Sequence, residues 1–506
     1  MFDSRVPSAE VIAAMDEHFE RRYPSKTGES AGLLDRVSRL ARVENRAAAG
    51  QLAAIGALFA YRLSRCGECD EWAVDTEAAV AAEVAAELGI GQGLAASRVR
   101  YARALRERLP QVAGVFAAGD IDFRMVQTLV YRTDLITDVE VMAAVDAQLA
   151  ATVARWPSMT PARLAARVDK VVARADADAV RRRQQRAAGR EVWIGDMGEG
   201  LARLEGVLCS PDAHALDARL DALAATVCAH DPRSREQRRA DALGALAGGA
   251  ERLGCRCGRS DCAAAARPAA GPVVIHVIAE RAALEGTGAA SASELRADGL
   301  IPPELIRELA VAAKLVPLVH PGDAPPEPGY VPSAALADFV RCRDLTCRWP
   351  GCDCPAVACD IDHTIPHSQG GPTHASNLKC YCRTHHLVKT FWGWTEQQLP
   401  DGTLILTSPA GRTYVTTPGS ALLFPSLCAA TGAIGAAEAD PPPPDDYCGQ
   451  RTAMMPKRRR TRTQDRATRI AVERRHNRDT RMARRAERVS YSGPAPPDSE
   501  DDPPPF

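Results

Sequence analysis

The sequence predicts a mainly α protein: a large all-α N-terminal domain, a small zinc-stapled α+β module, and a disordered basic, Pro-rich tail. Three observations carry that prediction. Apolar residues recur at helical spacing through the first half, and strand signals stay sparse until GPVVIHVIAE at 271–280. Cysteines and histidines crowd together between 347 and 386, and the end of the chain is dominated by Arg and Pro.

At 506 residues the chain is too long for one hydrophobic core, and the size rule suggests about three domains. The expected division is an N-terminal extension at 1–30, an all-helical domain at 31–250, a connecting region with a Cys cluster and a short strand at 251–335, the compact module at 336–420, and the tail at 421–506. Formal net charge is −1, which hides an asymmetry. Residues 451–488 carry fifteen Lys/Arg against four Asp/Glu, so the rest of the chain is acidic by twelve charges. The N-terminus MFDSRVPSAEVIAAMDEHFERR has charges where a secretory signal would have its apolar centre, and QLAAIGALFAYRL is too short to span a bilayer. A soluble, cytoplasmic protein without membrane partners is expected. The 16 cysteines are clustered, several beside histidines, which favours zinc in a reducing compartment over a disulfide framework.

Within 31–250, Leu33, Val37, Leu40, Leu52, Ile55 and Phe59 recur every three or four residues within each helical run, and Gly89, Pro110 and Pro157 end helices. EVAAELGIGQGLAASRVRYARALRERLP has the outline of helix, Gly-containing turn and helix. A DNA-reading version would direct Ser97, Arg98 and Arg100 at a groove, whereas an ordinary helix pair would leave those arginines on a solvated face, and the ordinary pair is the preferred reading. In the connecting region, CRCGRSDC offers Cys255, Cys257 and Cys262, either a plain Cys-rich loop or three ligands of a second zinc with a fourth from elsewhere. PPELIRELAVAAKL is one short helical pattern, and PGDAPPEPGYVP at 321–332 is a linker by composition.

The compact module holds the chemistry. CRWPGC supplies Cys347 and Cys352 across a Pro-Gly turn, and CRTH supplies Cys382 and His385 about thirty residues on. Two short-spaced pairs on either side of an intervening segment are how a chain builds a tetrahedral structural zinc site. Cys354, Cys359 and Cys380 lie near enough in sequence to compete for the register. Between the knuckles, DIDH reads as a strand, TIPHSQGGPTHAS as a loop, NLKCYC as a returning strand and RTHHLVKTF as a helix. The zinc would pin a hairpin and helix that have too few apolar residues to be stable alone. It would hold Asp362, His363, Asn377 and His386 in place. Asp360 would face the same way as Asp362 and assist a metal, while His367 and His374 read as exposed loop histidines or phosphate contacts. FWGWTEQQLPDGTLILTSPAGRTYVTTP predicts a β-hairpin turning at Pro400–Gly402, with Trp392 and Trp394 covering the module's apolar side more readily than stacking on bases.

The order DH, Gly-Gly loop, NL, then a Cys-containing helix start ending in His resembles the HNH, or ββα-metal, endonucleases. That resemblance implies His363 as general base, Asp362 and His386 as ligands of one catalytic Mg²⁺ or Mn²⁺, and Asn377 as the brace that orients the base. The last position of the zinc set is His385, where many HNH modules have Cys. The phrases RERLPQVAGVFAAGDID, REQRRADAL and SPAGRTY, with the module itself, resemble the actinobacterial 13E12 repeat family over roughly 30–420. This implies an HNH-type protein of mobile or repeated genomic elements with a helical domain of unknown function. Lys389, together with Arg458, Arg459 and Arg460 of the tail, are the expected nucleic-acid contacts, the tail acting by counterion release. The expected activity is metal-dependent cleavage of DNA, with RNA as an alternative substrate. The competing expectation is a catalytically silent, zinc-containing nucleic-acid-binding protein.

Overall fold

The computed structural model describes residues 9–22, 27–67, 69–157, 159–181, 191–198, 201–208, 210–264, 277–285, 292–294, 300–301, 306–307, 310, 313–432 and 455–490. In chain order the helices begin with α1 (Ala9–Arg22), α2 (Gly28–Cys66), α3 (Thr76–Leu88), α4 (Gln92–Glu107), α5 (Pro110–Ala118), α6 (Phe123–Thr133), α7 (Val139–Thr152) and α8 (Pro161–Ala175). Their ends follow local chemistry. Asp75, Asp122, Asp138 and Thr160 accept from first-turn amides as N-caps, Pro110 and Pro161 stand at helix starts, and Gly89 and Gly119 close α3 and α5 in the left-handed conformation.

The hairpin β1 (Glu191–Gly198) and β2 (Leu201–Val207) interrupts the region expected to be all-helical, and its described strand residues are largely exposed on both faces. Its alternation of apolar with polar residues buries nothing, which is why it carries no core signal. Then come α9 (Ser210–Ala224), α10 (Arg235–Ala247), and the short strands β3 (Val277–Ile278), β4 (Ala292–Glu294) and β5 (Leu300–Ile301), with α11 (Arg281–Leu284) between β3 and β4. The described part of the strand expected at 271–280 is thus β3; residues 271–276 and most of the helical pattern at 302–315 lie outside the described residues.

The module contains α12 (Ala334–Asp344), β6 (Asp360–His363), β7 (Leu378–Tyr381), α13 (Arg383–Phe391), β8 (Thr395–Gln398), β9 (Leu404–Thr407) and β10 (Thr413–Thr416). β6 and β7 are antiparallel, with Asp362 opposite Lys379 and His363 opposite Leu378. The expected hairpin forms between β8 and β9, where Gly402 takes φ 83°, and β10 adds a third antiparallel strand. The last helix is α14 (Arg462–Ser490).

These elements pack as two compact units. One combines described residues of 1–64, 97–181 and 460–506; the other combines 65–96 with 182–459. In the first, Phe59, Val99, Val112, Phe116, Leu129, Leu149, Val168 and Val172 are buried. Only the later turns of α2 join this core: Leu52, Ile55 and Phe59 are buried, whereas Leu33, Val37 and Leu40 are exposed. Arg98 donates to Gln51 and lies over the Phe123 ring, so it serves helix packing.

Contrary to the expectation of a disordered basic tail, α14 is a docked helix. Arg466 pairs with Asp134, Arg474 with Asp176, and Arg478 and Arg481 with Asp178, while the Asn477 amide donates to the Asp178 and Val180 carbonyls. The carboxylates that these arginines need sit on the loops after α6 and α8, so composition alone read the segment as a disordered basic tail that holds nucleic acid by counterion release. The Pro-rich stretches at 440–446 and 492–506 lie outside the described residues.

The second unit is centred on the module. Its core joins Trp349, Leu378, Cys380, Tyr381, Val388, Trp392, Trp394, Leu404 and Leu406 to Trp72, Val74, Ala79, Ala82 and Ala86 from around α3. Residues far upstream therefore complete the apolar side of a module too small to close its own core. Beneath it, Asp344 is fully buried and accepts from Arg343 Nε at 2.8 Å, Arg348 Nη1 at 3.4 Å and the Cys380 amide at 2.8 Å. Among the described residues no helix is long and apolar enough to cross a membrane.

Candidate metal centres

The knuckle spacing closes as expected. Sγ of Cys347, Cys352 and Cys382 and a ring nitrogen of His385 all lie within 4.8 Å of one another. A tetrahedral zinc with bonds of roughly 2.0–2.3 Å separates its ligand atoms by roughly 3.5–3.8 Å, so the set fits that ion. The Pro350–Gly351 turn makes the first knuckle, and Gly351 is required there: at φ 75°, a Cβ would sit 2.7 Å from the Ile90 carbonyl oxygen. Cys382 caps α13 and His385 follows in its first turn. His385 Nδ1 lies 3.5 Å from Cys347 Sγ and 3.3 Å from Cys382 Sγ. Its Nε2 faces Gln92 Oε1 at 3.3 Å, and its ring stacks on Trp349 at 4.7 Å. Donation from Nε2–H to Gln92 leaves the Nδ1 lone pair for a metal, the usual way an outer partner sets a ligand's tautomer. Hydrogen bonds from Cys347 and Cys352 hold the Cys382 thiol well below its ordinary range, while burial pushes Cys347 up. The competing thiols Cys354, Cys359 and Cys380 are not among the four converging ligand atoms: Cys359 Sγ, close to Cys347, meets the Pro355 carbonyl, and Cys380 is fully buried.

A second, carboxylate–histidine centre lies on β6, β7 and α13. Asp362 Oδ1 and His386 Nε2 are 3.3 Å apart, a separation suited to two ligands of one cation. Asp360, expected to assist a metal, accepts from His386 Nδ1 at 2.9 Å. That bond orients the imidazole and aims Nε2 at Asp362. The other Asp362 oxygen receives Lys379 Nζ at 3.0 Å and Lys389 Nζ at 3.1 Å, and both lysines also meet Glu396. Burial alone would raise the Asp362 carboxyl, but Lys379, His386 and Lys389 outweigh it and hold the group ionised far below its ordinary range. His386 is raised by its bonds to Asp362 and Asp360.

His363 is 4% exposed. Nε2 lies 2.9 Å from Thr373 Oγ1, and its ring stacks on Tyr330 at 5.3 Å. Burial first, with His367, Lys379 and Lys389 adding to it, lowers its pKa to about 4 against the pull of Asp362. The imidazole is therefore neutral at physiological pH. Asn377 is fully buried and ties the loop shut: Oδ1 accepts from the Ile365 amide at 2.8 Å, and Nδ2 donates to the carbonyls of Ile365 at 3.1 Å and Pro372 at 2.9 Å. The Gly-Gly pair has a steric reason, since Gly370 takes φ 85° and a Cβ on Gly371 would collide with the Ile365 carbonyl.

Several expectations need adjustment. Lys389, expected to face nucleic acid, is turned inward and also donates to the His363 carbonyl at 2.8 Å. His374 is buried, with Nε2 against the Ala324 carbonyl and Nδ1 accepting from Ser376. Arg458 donates to the Ala73 carbonyl and pairs with Asp75, while Arg459 and Arg460 are exposed. Cys255, Cys257 and Cys262 gather around Cys228. Lys379, Glu396, Tyr330 and Gln92 were not anticipated. Of these, Lys379 lies in the expected returning strand, where the structure sets it opposite Asp362.

Fold and site together define a mainly helical protein with a thiolate–imidazole metal-ligand set beside a carboxylate–histidine pair. The chain belongs to the DUF222 family, a domain of unknown function whose model matches residues 39–344. That match ends with α12, before Cys347 and Cys352. Similar proteins extend further. Uncharacterized protein Rv3776 of Mycobacterium tuberculosis is 44% identical over 479 residues, 89% of this chain and 91% of the relative. Uncharacterized protein Rv2100 of the same species is 41% identical over 520 residues, 94% of this chain and 93% of the relative. No solved structure matches.

Proposed function

We propose that the chain is a metal-dependent HNH endonuclease that hydrolyses phosphodiester bonds of nucleic acid, DNA foremost and RNA as the alternative. One observation carries the reading: the Asp362 and His386 ligand atoms converge beside a neutral His363 on a strand–strand–helix unit whose helix start meets the upstream Cys347 and Cys352 in a thiolate–imidazole site. The cysteines and His385 suit a structural Zn²⁺. Asp362 and His386 suit a Mg²⁺ or Mn²⁺, which when bound supplies charge stabilisation to the phosphorane and the leaving oxygen.

The chain's own groups account for the rest. Donation from His363 Nε2–H to Thr373 leaves Nδ1 as the basic nitrogen. It accepts a proton from water as the water oxygen bonds to phosphorus; the P–O bond to the leaving sugar oxygen breaks, and that oxygen takes a proton from solvent. Asn377 holds the loop that shapes this pocket, and Asp360 keeps His386 in its ligating orientation. Lys379 and Lys389 balance Asp362 and Glu396, keeping Asp362 ionised without a metal.

The test is nicking of supercoiled plasmid by the full chain with Mg²⁺ or Mn²⁺, beside EDTA and a His363→Ala variant that keeps its zinc. Cutting lost in both controls supports the enzyme and assigns the base. One observation favours the competing reading of a silent nucleic-acid-binding protein: His363 lies almost wholly covered, with Tyr330 stacked on its ring. Plasmid bound but left intact with every metal and every target sequence offered would select it.

A further inference from the structure

We infer that Cys228, Cys255, Cys257 and Cys262 form a second structural zinc site, a four-thiolate centre that ties the α9–α10 pair to the loop after it. The inference is independent of the nuclease reading. All four Sγ atoms lie within 4.8 Å of one another, and Cys228 Sγ is 3.5 Å from Cys255 Sγ. A tetrahedral zinc–thiolate site with bonds of about 2.3 Å places its sulfurs roughly 3.8 Å apart, so the ligand cage is already closed. Four sulfur donors in that shape suit zinc over the oxygen-seeking divalent ions.

The surroundings leave room for sulfur ligands. Backbone N–H groups lie near the sulfurs, that of His230 near Cys228, those of Cys228 and Cys257 near Cys255, and that of Ala264 near Cys262. The Arg259 guanidinium, held by Asp261 at 3.1 Å, lies within electrostatic reach of Cys228, Cys257 and Cys262. None of the four is fully buried, so this is not a cluster of inert thiols in an apolar core.

The local fold shows what such an ion would do. α9 and α10 share only a small core, Leu220, Leu223 and Ala242 with Leu216, Leu243 and Leu246 at its margin. The turns carrying the cysteines are held by polar contacts. Arg233 makes two bonds to Asp231, one to Asp241 and one to the Gly254 carbonyl. Asp231 accepts from the Arg256 amide, and Thr226 Oγ1 from the Leu253 amide. The Cys255 amide donates to the Ala264 carbonyl, closing the knuckle over Gly258 at φ 70°. So little apolar surface needs a staple, and the cysteine turns are shaped around one.

The experiment is metal analysis of the full chain, purified under reducing conditions with zinc present. Two zinc ions per chain are expected, falling to one in a Cys228→Ser/Cys262→Ser double variant and to one in a separate Cys347→Ser/Cys382→Ser variant. One zinc in the wild type, or two that survive the first double substitution, would overturn the inference. Because either variant could misfold, the wild type is also probed by alkylation with iodoacetamide and peptide mass spectrometry. The four thiols should be protected in the zinc-loaded chain and become reactive as a chelator removes a zinc equivalent. Full reactivity of the four in the two-zinc protein, or a Cys228–Cys255 disulfide, refutes the site.

Discussion

Replacing Asn377 separates a brace from a spacer. The side chain is fully buried and makes three hydrogen bonds, one as acceptor from the Ile365 amide and two as donor to the Ile365 and Pro372 carbonyls. In Asn377→Ala these three backbone groups lose their partners where water cannot replace them. At about 1 kcal/mol or more per orphaned group, the cost is about 3–5 kcal/mol to the closed loop. Asn377→Asp has nearly the same shape and keeps the acceptor, but sets a carboxylate oxygen against two carbonyl oxygens. It is therefore expected to cost at least as much as Ala near neutral pH, the reverse of what size alone predicts. The assay is amide hydrogen exchange of peptides covering 361–378 in the zinc-loaded full chain, which reads local opening without assuming two-state unfolding. A loss of about 3 kcal/mol appears as exchange roughly 150-fold faster in that segment. Exchange in Asn377→Asp within a factor of a few of wild type would refute the assigned bonding.

Asp360→Ala, with the thiolate site intact, should weaken Mn²⁺ binding about 10–100-fold by freeing the His386 ring, measured by titration with Mn²⁺ as the probe; unchanged affinity would mean that Asp360 does not orient the ligand. Tyr330→Ala should uncover His363 and raise plasmid nicking, read as initial rate at saturating Mg²⁺; a fall would make Tyr330 part of the site and not its cover. The docking of α14 should fail in acid. Burial would raise the Asp134 and Asp178 carboxyls, but Arg466 on the first, and Arg481 and Arg478 on the second, hold both below their ordinary value. Groups depressed on folding contribute stability that is complete above the unfolded carboxylate value of about 3.9 and disappears as pH falls through the lower folded values. Protection of α14 amides should thus be full at neutral pH and lost in that acid window, and protection independent of pH would remove these pairs from the account.

The grouping of the module's candidate ligands was legible because each pair is local. Cys347 with Cys352, and Cys382 with His385, are spaced by turns that bring each pair together whatever surrounds them, and DIDH and NLKCYC form the antiparallel strand pair expected of them. The helices were legible from apolar period, Asp and Thr caps and terminal glycines. Cys228 escaped because nothing in its neighbourhood marks it; it reaches the other three cysteines only when α9 and α10 fold back on one another. Lys389 was misdirected for a related reason: a helix position does not say whether its neighbours are solvent or the Asp362–Glu396 pair.

What the sequence determined by itself is everything that depends on residues within a turn or two of each other: the helices, the knuckles, the hairpin and the candidate ligands. What only the tertiary structure decided is which charges are spent internally and which distant segments complete a core. α14 found Asp134, Asp176 and Asp178 for its arginines, and the stretch around α3 closed the module with Trp72, Val74 and Ala82. Pairing of charges and burial of apolar area act between surfaces that meet in space, and no local spacing records which surfaces will meet.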